Sequence, residues 1–145
     1  VATKPGGGVR TRATIQIYRA VVGLTDGQTI TIEVPGGDLP NGMRSMVAGA
    51  PRLVPGQLVF GFFEQRAGLY KPWGLSFGLL RARRDEGGDV RVFRDLDGLQ
   101  LLSRKGTPMA AETVRLEDEP LEALIGRIRG HLGIPGSSQP GGLNQ

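Results

Sequence analysis

Glycine and proline interrupt this chain too often for any long regular element to dominate it: 24 glycines and 10 prolines fall among 145 residues. They follow no Gly-X-Y period, so a collagen-like triple helix is excluded. Many short segments joined by turns is the organisation that follows. The length suits one hydrophobic core rather than two domains.

Between the interruptions the residues alternate. Ala13, Ile15 and Ile17 fall on one side, with Thr14, Gln16 and Tyr18 on the other, which predicts a strand from Thr11 to Val22. Thr25-Asp26-Gly27-Gln28 reads as a turn into a second alternating strand, with Ile30, Ile32 and Val34 on one face. Together the two predict a β-hairpin. Residues 39–50 read as a loop around Asn41-Gly42, and Leu58 to Glu64 as a strand apolar on both faces, with Gly61 marking a bend. Further strands are expected over 69–74, 75–83, 89–93 and 99–102, with Pro72 at a sheet edge because it lacks an N–H. The end of the chain changes period. Leu121, Leu124, Ile125 and Ile128 share one helix face, acidic residues precede them, and Gly133 and Pro135 stop the helix. The expected organisation is a flexible lead over 1–10, one β-rich domain over 11–134 with a helix near 119–132, and a disordered tail over 135–145.

The formal charge is +4, carried by fifteen arginines and three lysines against 14 acidic residues. Most of the arginines are scattered. A polyanion face would use Arg81, Arg83, Arg84, Arg91 and Arg94, and its binding would weaken steeply with salt. Cysteine is absent, which excludes disulfides and thiolate metal sites. No apolar run reaches the roughly 20 residues that span a bilayer. The first residue is valine, as expected of a chain processed by signal-peptide removal or trimmed at a boundary.

No catalytic constellation can be assembled. His131 is the sole histidine and falls at the end of the predicted helix, where a solvated or capping role is the ordinary one. Asp95 and Asp97 lack the further ligands of a calcium loop, and an aspartate before glycine suits a turn. No residue set suited to catalysis, a metal or a cofactor emerges from these spacings. Tyr18, Phe60, Phe62, Phe63, Tyr70, Trp73, Phe77 and Phe93 could stack bases beside arginines, but core packing is the commoner fate of aromatics. Tyr70 and Trp73 are the two expected to be exposed.

Val-Pro-Gly-Gly at 34–37, Val-Ala-Gly-Ala-Pro-Arg-Leu at 47–53, Pro-Gly-Gln at 55–57, Val-Phe-Gly-Phe-Phe at 59–63 and Trp-Gly-Leu-Ser-Phe-Gly at 73–78 follow in order. This pattern, carried by residues 11–79, resembles a family of small secreted bacterial proteins of uncharacterised function. The resemblance implies export and a β-barrel or sandwich, an oligonucleotide/oligosaccharide-binding-like barrel being one form, and it implies no activity. Gly23-Leu24 stands where such relatives have Lys-Gly, and little chain precedes the first glycine run to form their opening strand.

The expected fold is therefore mainly β, a small antiparallel barrel or sandwich with one C-terminal amphipathic helix. The expected function is a non-catalytic, secreted or periplasmic binding or self-assembly module. Its candidate contact is an open β edge at Arg12, Thr14, Gln16 and Tyr18, and its partner another copy or a secreted protein. The alternative is a nucleic-acid or polyanion binder.

Overall fold

The computed structural model describes residues 2–4, 7–95, 102–109 and 118–135. It is mainly strand. A five-stranded sheet runs in the order β1 (Ala2–Lys4), β2 (Gly7–Gln16), β3 (Thr29–Pro35), β8 (Leu69–Pro72), β7 (Phe63–Arg66). A four-stranded sheet runs β11 (Glu119–Pro120), β10 (Val90–Phe93), β9 (Leu79–Arg84), β6 (Val59–Gly61). β4 (Gly37–Asp38) and β5 (Arg44–Ser45) form a small separate ribbon, and α1 spans Leu121–Leu132. The sheets do not close into a barrel; the arrangement is sandwich-like with one helix.

The two large sheets share a ribbon. β6 and β7 are one strand bent at Phe62, and the ribbon's other side is β8 and β9, interrupted by a 3-10 turn at Leu75–Phe77. Phe62 holds both halves: its N–H donates to Gly78 at 2.8 Å, and its carbonyl accepts from Trp73 at 2.8 Å. Gly61 is the last residue of β6, and a Cβ on it would lie 2.4 Å from the Phe63 ring. The bend expected at Gly61 therefore falls one residue further on, at Phe62.

Two hydrophobic clusters follow from this division. On the five-stranded sheet, Ile17, Ile30 and Ile32 pack with Ala13, Ile15, Leu24, Leu53, Phe63 and Tyr70. On the four-stranded sheet, Leu80, Val92 and Leu124 pack with Phe60, Ala82, Leu121 and Ile128, which places the apolar stripe of α1 over β9 and β10. Gly133, in the left-handed conformation, ends α1 as its position in the sequence predicts.

Several expectations are corrected. The first strand ends at Gln16 rather than Val22: the hairpin closes where Gly27 donates to the Ile17 carbonyl at 2.7 Å, and in the loop beyond it the Asp26 carboxylate accepts the Ala20 N–H at 2.6 Å. Residues 2–4 and 7–10 are strands, not a loose lead. Pro72 is buried and lies in β8, an internal strand. The ladder between β3 and β8 is parallel and pairs only Ile32 with Tyr70, so β3 needs no donor from Pro72. The segment 75–83 splits into the 3-10 turn and β9. The strand expected at 99–102 lies outside the described residues except for Leu102, which bridges Pro108. Asp97 and residues 136–145 also lie outside them.

Candidate binding edge

β2 is ten residues long, and its neighbours cover it unequally. β3 pairs with it in one unbroken register from Arg10↔Pro35 to Gln16↔Thr29. β1 reaches only its first part, pairing Ala2 with Arg10 and Lys4 with Gly7. Among the described residues no strand lies on the outer side of Arg12–Gln16.

Which main-chain groups face that open side follows from antiparallel geometry. Ile17 donates to the Gln28 carbonyl at 2.8 Å, and Gly36 donates to the Val9 carbonyl at 2.7 Å. Both fit the register of the intervening ladder, so the odd-numbered residues of β2 exchange hydrogen bonds with β3. The N–H and C=O groups of Arg12, Thr14 and Gln16 therefore point outward. Three of the four residues expected at a contact edge, Arg12, Thr14 and Gln16, occupy it. Tyr18 lies past the end of the strand in a bend, with 73 % of its surface exposed.

Charge usually protects such an edge. Here the one charged side chain in the open window, Arg12, is turned onto the sheet: its Nε is 3.0 Å from Glu33 Oε2. Glu33 is only 7 % exposed, and Arg10 at 3.4 Å and Lys71 at 3.9 Å complete its neutralisation. A buried carboxylate is tolerated in this way, by partners that surround it. The sequence places Glu33 simply on the polar side of β3, with no sign that three cations would bury it. At the opposite margin of the same sheet, β7 is short and carries exposed Glu64, Gln65 and Arg66, the ordinary protection of an edge.

The arginines expected to form a polyanion face are divided. Arg81, Arg83 and Arg91 share one face of the four-stranded sheet, since Arg91 pairs with Arg83 and Phe93 with Arg81. Each has an acidic partner: Arg81 with Asp95 at 2.9 Å, Arg91 with Asp118 at 3.1 Å, and Arg83 with the same Asp118. Arg83, and secondarily Arg91, hold the Asp118 carboxyl below the ordinary aspartate range by hydrogen bonds. Arg84 bonds the Gly88 carbonyl at 3.2 Å in the adjoining turn, and Arg94 lies 5.4 Å from the centre of the Phe77 ring.

A second exposed surface gathers aromatics that the sequence carries singly. Trp73, 67 % exposed, pairs across the ribbon with Phe62, which meets Phe60 edge-on at 5.5 Å. Phe77 completes this corner, where Leu75 holds the positive φ of 57° that a leucine rarely adopts. Trp73 is exposed as expected; Tyr70 instead packs against the first core cluster. His131 lies exposed in the last turn of α1. Among the described residues, no helix is long and apolar enough to cross a membrane. Comparison with models of protein families, curated proteins and solved structures finds no match to this chain.

Proposed function

We propose that the chain is a non-catalytic, extracytoplasmic module that binds or assembles by adding a strand to the outer side of β2. The observation that carries this reading is the stretch Arg12–Gln16, left uncovered among the described residues, where three residues turn their main-chain groups outward and the only charge is already paired. An extended segment placed there gains main-chain hydrogen bonds and continues a sheet already ordered by its other strands. Its partner is another copy or a secreted protein, and export rests on the resemblance to secreted bacterial proteins. Polyanion binding is the weaker reading, because Arg81, Arg83 and Arg91 are matched by Asp95 and Asp118.

The experiment is mass by light scattering across a concentration series, for the native protein and for Thr14→Pro. Proline at 14 removes an outward N–H and leaves the ladder to β3 intact, so the variant should fold. The native mass is expected to rise with concentration and that of T14P to stay at the monomer. A native mass constant at 15.5 kDa, with no change in T14P, would sink self-association through this edge.

A further inference from the structure

We infer that the occupant of the β2 edge is β2 of a second copy, paired antiparallel about a two-fold axis at Thr14. This rests on the edge reading above and specifies its partner and register.

The open window is itself symmetric about Thr14. On one side it is bounded by Arg10, already held by Ala2 of β1; on the other, the chain leaves the strand after Gln16. Only the even-numbered residues in between, Arg12, Thr14 and Gln16, face outward. An antiparallel partner must set outward residues against outward residues, because such pairs exchange both main-chain hydrogen bonds. For two copies of the same strand, one register uses all three. It places Thr14 opposite Thr14 of the partner subunit, and Arg12 opposite Gln16 of the partner subunit in both directions. Registers shifted by two residues leave one of the three unpaired on each copy.

The side chains suit that register. On the polar face it sets threonine beside threonine and arginine beside glutamine, with no like charges directly opposed. Arg12 of each copy stays on its own Glu33. On the core face, Ala13 falls opposite Ile15 of the partner subunit and Ile15 opposite the partner's Ala13, small against large on both sides of the axis. Ala13 and Ile15 are both only partly buried on the first core cluster, so each has apolar surface left to cover. The pairing is isologous and closes at two copies, joining two five-stranded sheets.

The chain has no cysteine, so single-cysteine variants report the register cleanly. In a hydrogen-bonded antiparallel pair the Cα atoms lie about 5.5 Å apart, within disulfide reach. Thr14→Cys is therefore expected to form a covalent dimer under oxidised glutathione. Gln16→Cys should not, because its two copies are offset by four residues, about 13 Å along the strands. A mixture of Arg12→Cys and Gln16→Cys should give the heterodimer. T14C is expected to cross-link about tenfold more than Q16C at equal concentration. Equal cross-linking of T14C and Q16C, or none from T14C in a variant whose unfolding midpoint matches the native one, overturns the two-fold register. If the native mass still rises with concentration while that of T14P does not, the edge reading survives that loss. If T14P changes nothing, both fall together.

Discussion

Gly78→Ala is expected to cost upward of about 3 kcal/mol, read as a lowered midpoint in urea unfolding at unchanged slope. A Cβ at position 78 would sit 1.8 Å from the Trp73 carbonyl oxygen and 2.8 Å from its carbonyl carbon. Both are backbone atoms, so no side-chain rotation relieves the clash. Gly78 has an ordinary φ of −94°; space, not conformational freedom, is what demands glycine here. Any shift that admits the methyl group must move the Gly78 carbonyl from the Phe62 N–H, or Trp73 from the Phe62 carbonyl. Those two bonds hold the ribbon that joins the sheets. That cost is a substantial part of a domain's margin of stability, commonly about 5–15 kcal/mol. An alanine variant with the native midpoint would mean that the corner is not built this tightly.

The second large effect is expected at the centre of the five-stranded sheet. Ile32 is fully buried and lies between Ala13 on β2 and Tyr70 on β8. Ile32→Ala removes three carbons from a site enclosed on both flanks and leaves a cavity. The expected cost is about 2–5 kcal/mol, against about 0.5–1.5 kcal/mol for Ile32→Val, measured by the same unfolding series. Similar small losses for both variants would show that loop residues such as Leu24 and Leu53 collapse onto the gap.

Local alternation and turn chemistry made much of this fold readable. Ile30, Ile32 and Val34 alternate along β3 and are all buried, and the period of Leu121, Leu124, Ile125 and Ile128 marks α1. What stayed hidden depends on contacts that alternation does not carry. β2 stops where Gly27 closes onto the Ile17 carbonyl, and the apolar residues at Ala20–Val22 do not announce it. Pro72 reads as an edge residue, yet it is tolerated inside the sheet because the β3 ladder pairs only at Tyr70. The exposed edge was legible as the strand that carries Arg12, Thr14 and Gln16. Which of its amides face outward needed the observed register, and the burial of Glu33 needed three partners from two other strands. Likewise Arg81, Arg83 and Arg91 read as surplus charge until Asp95 and Asp118 are placed beside them.

If Arg12, Thr14 and Gln16 offer their main-chain groups to a partner strand, residue-resolved amide hydrogen exchange will show it. In dilute protein the amides of Thr11, Ala13 and Ile15 are expected to be protected by β3, while those of Arg12, Thr14 and Gln16 exchange fast. As concentration rises, these three should slow together and T14P should abolish the slowing at Arg12 and Gln16. Protection of all three in dilute monomer would mean that the edge is already covered and that no partner strand can add there.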